Sequence, residues 1–199
     1  MPDVIKDGAG SGNKARVSAT NRLSVNSITE SEEFAANELG DAYNINTGTI
    51  TLTNDTDTPV LYIKNNEDKD LIIQAIILGA KTSTGGSSTD MIEITVVRNP
   101  TGGTIISGAS DVAINSNRNY GSQNSLDTLA YKGATGNTLT GGEDHILAFA
   151  NDTNRTFLGI NEVLPKGATF GVRLKPQSGN TSTVVYVAVI CHLHPEDIF

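Results

Sequence analysis

The residues that most readily do chemistry in this sequence are one cysteine, Cys191, and three histidines, His145, His192 and His194. Nucleophilic catalysis needs a serine or cysteine beside a base that a third group holds in place. The sequence has no Gly-x-Ser-x-Gly turn, and Cys191 lies in the most apolar segment, Val184–Cys191, where a buried, unreactive thiol is expected. These patterns predict that the chain has no catalytic site and is not an enzyme.

The spacing of His192 and His194 could place two metal ligands on one face of a β-strand, with Cys191 on the opposite face. Two ligands do not complete a site, and no second pair of histidines or cysteines occurs in the chain. A threefold assembly could bring three such pairs together. The sequence nevertheless predicts no metal, and the two histidines are interpreted as a strand end that leaves its sheet before Pro195.

Two acidic turns and a glycine-rich segment are the remaining candidates for ion or phosphate binding. The turns Asn54–Asp57 and Glu67–Asp70 lack the glycine and distal glutamate of an EF-hand loop, which favours ordinary solvated turns. Gly8, Gly10 and Gly12 have neither the Lys-Ser/Thr ending nor the flanking strand and helix of a phosphate loop. They indicate a flexible hinge, and no cofactor is expected.

Sugar binding usually needs exposed aromatic faces, and this chain has no tryptophan and only 5% aromatic residues. Tyr120 and Tyr131 are the two aromatics placed for such a role, since both lie in the polar, glycine-punctuated stretch Asn115–Gly142. That stretch is predicted to be a long loop, a feature that often carries function. The preferred interpretation is that the two tyrosines pack the loop down.

The charge balance argues against a direct nucleic-acid partner. With 14 basic residues, 22 acidic residues and a net charge of −8, the chain offers no cationic face for phosphates. No stretch approaches the ~18 consecutive apolar residues of a membrane span. Met1–Asp7 lacks the apolar region of a signal peptide, and a single cysteine fits synthesis in a reducing compartment.

A change of pattern near Gly48 predicts two parts, an extended attachment arm over residues 1–47 and a β-sandwich domain over residues 48–199. The arm holds two short alternating pieces, Lys14–Val17 and Arg22–Ile28, and one segment of helical character, Ser31–Asn37. Such segments bury little by themselves and are ordered mainly by a surface on which they lie.

Strand patterns separated by turn clusters recur through the domain, with no helix between them, which excludes a βαβ architecture. They indicate roughly eight strands and an all-β fold, an antiparallel β-sandwich of jelly-roll-like form. The predicted strand segments are Thr49–Thr53, Pro59–Lys64, Asp70–Gly79, Met91–Arg98, Thr104–Ser107, Ala109–Ile114, His145–Ala150, Thr156–Ile160, Ala168–Leu174 and Thr183–Leu193.

Two apolar runs, Leu71–Leu78 and Val184–Cys191, hold more continuous apolar sequence than one sheet face can bury. The chain also has few lysines and prolines, the residues that protect exposed edge strands from pairing with other chains. Packing copies of the chain around an axis would cover both the edges and the second faces. The sequence therefore predicts self-association.

Several segments together resemble small virion proteins of tailed bacteriophages. They are Val4–Gly8, Asn21–Val25, Asp41–Gly48, Val60–Asn66, Val97–Gly103 and Val187–Leu193. The resemblance covers most of the chain, but its segments are structural, so no catalytic or binding residue carries over from it.

The resemblance implies a bacteriophage virion structural protein, in particular a capsid decoration or cement protein that binds and stabilises the head shell. Its partners would be the major capsid protein or other virion proteins, and it would act as a homotrimer at quasi-threefold positions on the capsid surface, after synthesis in the host cytoplasm. The alternative from another class is a tail-fibre, head-fibre or receptor-binding module.

Overall fold

A computed structural model describes residues 5–6, 14–15, 31–82, 91–107, 113–151, 155–177 and 182–194. The chain divides into two compact units, Met1–Ser31 and Glu32–Phe199. In the first unit, β1 (Ile5–Lys6) pairs antiparallel with β2 (Lys14–Ala15). The predicted strand Arg22–Ile28 lies outside the described residues.

The second unit contains one α-helix, α1 (Glu32–Leu39), and ten strands among the residues that the structure describes. The strands are β3 (Ala42–Thr53), β4 (Thr58–Asn65), β5 (Leu71–Thr82), β6 (Met91–Arg98), β7 (Ile114–Asn117), β8 (Thr128–Lys132), β9 (Glu143–Asn151), β10 (Thr156–Leu164), β11 (Thr169–Pro176) and β12 (Ser182–Leu193).

These strands form two five-stranded antiparallel sheets, sheet I in the order β10-β5-β12-β3-β7 and sheet II in the order β8-β4-β11-β6-β9. Four pairs are nested along the chain, β3 with β12, β4 with β11, β5 with β10 and β6 with β9. Nested pairing is the pattern of a long hairpin rolled into two layers, which is the jelly-roll arrangement. The predicted all-β, jelly-roll-like sandwich is confirmed.

One apolar core lies between the two sheets, because alternate residues of most strands point inward. Leu61 and Ile63 of β4 and Ile92 and Ile94 of β6 are fully or almost fully buried in it. Cys191 of β12 belongs to the same core. The described residues contain no helix of the length and apolarity needed to cross a bilayer.

The predicted domain boundary at Gly48 is wrong, because Gly48 lies inside β3. The register of β3 against β12 steps from Thr49↔Tyr186 to Asn46↔Ala188, so β3 carries one extra residue there. Gly48 has a φ of 67°, which glycine adopts without strain. The glycine therefore marks a β-bulge within one strand and not the end of an arm, whereas the helical segment predicted at Ser31–Asn37 is confirmed as α1.

The predicted loop Asn115–Gly142 is wrong in part, because β8 and most of β7 lie within it. The predicted strand Thr104–Ser107 is instead a single 3₁₀ turn, Thr104–Ile106. Thr138 holds that turn, since its carbonyl accepts a hydrogen bond from the amide of Ile105. Of the predicted strand Ala109–Ile114, only the last two residues are described, and Ile114 begins β7.

Three asparagines that follow the start of β7 bind the carboxyl end of α1. The side-chain amides of Asn117, Asn119 and Asn124 donate to the carbonyls of Gly40, Asn37 and Leu39 at 2.7, 3.0 and 3.2 Å. The last carbonyls of a helix have no partner within the helix, so these amides satisfy groups that would otherwise need water. The polar stretch after β7 thereby fixes α1 to the sandwich.

Candidate functional site

The most distinctive surface of the sandwich is the side where β9 and β10 end their sheets. Among the described residues, β9 pairs with β6 alone and β10 with β5 alone, so each strand has one free hydrogen-bonding edge. Neither strand contains a lysine, arginine or proline. These edges therefore lack the residues that commonly prevent an edge from pairing with another chain.

Large apolar side chains flank this side on both outer faces of the sandwich. Leu147 and Phe149 of β9 lie on the outer face of sheet II, and Phe157 and Val163 of β10 lie on that of sheet I. Their side chains are 61, 51, 64 and 54% exposed, in that order. We call β9 and β10 with these four side chains the apolar edge, and exposed large apolar side chains beside free strand edges are typical of a protein-binding surface.

Paired β-bulges end the regular part of the apolar edge. In β9 the register against β6 skips His145, and in β10 an extra residue lies between Gly159 and Glu162, where Asn161 has a φ of 51°. His145 Nε2 and Glu162 Oε1 are 2.9 Å apart, so a hydrogen bond links the two bulges and hence the two sheets. A bulge twists an edge and locally disrupts ladder pairing. The regular part of the β9 edge is therefore residues 146–151, on the carboxyl side of the bulge.

A cleft of about 440 Å³ opens beside the paired bulges. Arg98, His145 and Glu162 are among its polar residues, and Phe170 is one of the apolar side chains that line it. The hydroxyl of Thr169, another lining residue, donates to the carbonyl of Pro100 at 2.8 Å. The lining residues thus hold a base and a carboxylate but no hydroxyl or thiol aimed at that base, which nucleophilic catalysis requires.

Cys191 and His192 of β12, and His194 just after it, separate as the strand alternation predicts. Cys191 is fully buried in the core, and burial raises the pKa of its thiol to about 12. His192 and His194 both approach Glu32 of α1, with Nε2–Oε1 distances of 3.5 and 3.6 Å. Among the described residues, no three His, Cys, Asp or Glu side chains form a group that could hold a metal ion.

His192 is buried under α1 and is only 3% exposed, and neither ring nitrogen has a hydrogen-bond partner among the described residues. Burial lowers the pKa of His192, and the nearby carboxylate of Glu32 offsets part of that effect. Arg118 and Gln74 lower the pKa of Glu33 by hydrogen-bonding its carboxylate. Both residues thus bind protons less readily in the folded chain than in the unfolded one.

Acid should therefore weaken the folded state in a way that depends on His192. Since its pKa is lowered on folding, its contribution is present above the ordinary histidine pKa of about 6.5 and is lost as the pH falls below it. We expect denaturant unfolding to show a smaller loss of stability between about pH 7 and pH 5 in His192→Gln than in the wild type. His194→Gln is the matched exposed control, and an unchanged pH dependence in His192→Gln would contradict the assignment.

The acidic turns and the two tyrosines also have defined surroundings. Asp57 pairs with Arg173 at 2.7 Å and Lys69 with Asp41 at 3.3 Å, so charges in both turns have partners within the chain. Tyr131 lies in β8 and stacks on Tyr62 with ring centroids 6.2 Å apart. Tyr131 thus packs on the neighbouring strand β4 and not on a loop, and Tyr120 is fully exposed and does not pack the loop down.

Sequence reasoning placed His145–Ala150 and Thr156–Ile160 in strands but did not identify the apolar edge. The available signal was the run Ile146–Phe149, in which consecutive apolar residues fill both faces of a short strand. Either other elements cover both apolar faces of such a strand, or one face remains exposed to solvent. Only the packing of the two sheets shows that the outer face is exposed here.

No protein-family model and no curated protein match the chain. Among solved structures, a chain of a cryo-EM structure of Mud Crab Dicistrovirus is 10% identical, with 100% of this chain and 90% of that chain covered and a TM-score of 0.25. A chain of a structure of infectious bursal disease virus, Gx strain, is 12% identical over 78% of this chain and 39% of that one, with a TM-score of 0.13. At these TM-scores the description of the fold rests on the strand pairing itself.

Proposed function

We propose that this chain is a non-enzymatic structural subunit of a bacteriophage virion, a capsid decoration or cement protein that binds and stabilises the head shell through protein surfaces. The observation that carries the proposal is the apolar edge, with two exposed apolar side chains on each outer face and two edge strands that contain no lysine or proline. The placement on a phage particle rests on the resemblance of the sequence segments.

The architecture suits a subunit that is held by contacts on one side. Two five-stranded sheets joined by one core make a rigid body, and the hydrogen bond between His145 and Glu162 ties their edges together. A rigid surface loses little conformational entropy on binding, so more of the burial energy appears as affinity. Many weakly held copies on one shell would add contacts that internal pressure must break.

The segment before Glu32 is the second attachment element of this proposal. Residues 1–31 form a unit of their own, and we assign to them the attachment role that the sequence analysis gave to the longer arm. They would add contacts with the major capsid protein beyond those of the apolar edge. The particle, and not the host cell, would then be the place where the chain functions.

Replacing Phe149 and Phe157 together by asparagine should leave the fold intact and lower the number of copies per virion by about tenfold or more, because exposed aromatics dominate binding energies. The measurement is quantitative mass spectrometry of purified virions, with circular dichroism as the test of folding. Leu129→Asn is the control, since Leu129 is an exposed apolar residue of β8, on the opposite side of sheet II.

A map of the particle completes this test. Density for the chain on the head supports decoration, and density at the tail would replace it with the tail-fibre or receptor-binding alternative. Absence of the chain from purified virions, or full occupancy by the double variant, would overturn the proposal.

A further inference from the structure

We infer that the apolar edge binds a second copy of this chain, with β9 of one copy antiparallel to β9 of the other about a twofold axis. This inference rests on the proposed function of the apolar edge as an assembly surface and assigns its β9 part to a second copy, which leaves the exposed side chains of β10 for contacts with the shell. The twofold axis differs from the threefold axis that the resemblance implies.

The first support is the self-complementary pattern of β9. In an antiparallel pair centred on Ala148, Leu147 of each copy lies opposite Phe149 of the other, on the outer face of sheet II. Directly opposed aromatic and aliphatic residues are the cross-strand pairs that stabilise sheets. Two exposed side chains from each copy would form one apolar cluster of four, and the inward neighbours Ala148 and Ala150 would stay in their own cores.

The second support is the charge at the two ends of the edge. Glu143 begins β9, and Arg155 lies just before β10, at the opposite end of the apolar edge; both are exposed. Antiparallel pairing sets the Glu143 end of one copy against the Arg155 end of the other. Parallel pairing would set like charges against each other, which is unfavourable across an interface.

The third support is the limited length of regular edge. The bulge at His145 interrupts the ladder, which resumes with β6 at Asp144, so the longest regular run of β9 is residues 146–151. The opposite border of sheet II is partly occupied, because the amide of Ala113 donates to the carbonyl of Ala130 in β8. An edge of sheet II that pairs with the same edge of a second copy gives a closed dimer, whereas pairing of two different edges would continue into rings or fibres.

Sedimentation equilibrium and light scattering of the full chain at micromolar concentration test the inference. We expect a species of twice the 20.9 kDa chain mass. Leu147→Lys should weaken self-association by about tenfold or more, since it places two like charges in the apolar cluster. Leu129→Lys, at an exposed leucine of β8, should leave the dimer unchanged, and circular dichroism checks that both variants fold.

The other outcomes separate a failure of the inference from a failure of the proposed function. A wild-type monomer, a trimer, or a dimer that Leu147→Lys does not weaken would overturn it. If the isolated chain is monomeric and Leu147→Lys still fails to join virions, the apolar edge binds the shell instead, so the inference fails while the proposed function stands. If Leu147→Lys abolishes the dimer but joins virions normally, the dimer stands and the assembly role of the edge fails.

Discussion

Replacing Asn65 by aspartate should lower the free energy of unfolding by about 3 kcal/mol or more, because a buried charge would face two carbonyl oxygens. Asn65 is fully buried at the end of β4. Its side-chain amide donates to the carbonyls of Lys69 and Leu164, both at 2.9 Å, and its Oδ1 accepts from the amide of Glu67 at 3.0 Å. Aspartate keeps the acceptor and loses both donors.

The hydrogen bond to Leu164 explains why Asn65 should matter for stability, since it joins the end of β4 in sheet II to the end of β10 in sheet I. Asn119→Asp is the matched control, because that amide also donates to two carbonyls, those of Asn37 and Glu38, but from a half-buried position. We expect a loss of about 1 kcal/mol there. Equal losses in urea unfolding of the two variants would contradict the role assigned to burial.

Replacing Gly133 by alanine should cost about 3 kcal/mol, at the upper end of overpacking effects. A Cβ at this position would lie 1.8 Å from the carbonyl oxygen of Pro59, an atom of the backbone of β4. The amide of Gly133 donates to the carbonyl of Val60 at 3.0 Å, so the turn after β8 cannot move away without breaking that bond. The chain must therefore distort either β4 or the turn.

Gly121→Ala provides the comparison for thermal or urea unfolding. A Cβ there would meet only Asn119 Oδ1 at 3.5 Å, an ordinary contact, and we expect a change within about 0.5 kcal/mol. If Gly133→Ala unfolds at the same denaturant concentration as Gly121→Ala, the close approach of the turn to β4 is not present in solution.

Local sequence patterns predicted strand bounds correctly where residues at the ends of the strand themselves start or stop it. The prediction of β6 as Met91–Arg98 matches the structure at both ends, because its apolar alternation stops at Asn99-Pro100, which cannot continue a central strand. Gly48 was interpreted as a domain boundary because a glycine interrupts the strand pattern there, but it lies inside β3. A glycine with positive φ serves both a turn and a bulge, and only the partner strand distinguishes them.

The functional surface depends on information that no local pattern contains. Leu147 and Phe149 would be interior residues if another layer packed over the outer face of sheet II, and they are exposed because no described element covers that face. The polar stretch after β7 similarly predicted a loop, since its asparagines have no apolar periodicity. Their side-chain amides donate to carbonyls at the end of α1, and this depends on the position of α1 beside them in the folded chain.

The nested pairing of the strands fixes the order in which the sandwich can be completed during synthesis. β12 is the last strand of the unit in chain order, yet it lies between β5 and β3 and is their only link within sheet I among the described residues. The hydrogen bond from the amide of Val187 to Thr47 Oγ1 spans 140 residues. Contacts this distant in sequence make folding slow, because loop closure precedes the gain from pairing. Until the ribosome releases β12, the edges of β3 and β5 that it joins stay unpaired, and a nascent chain in this state is a substrate for chaperones.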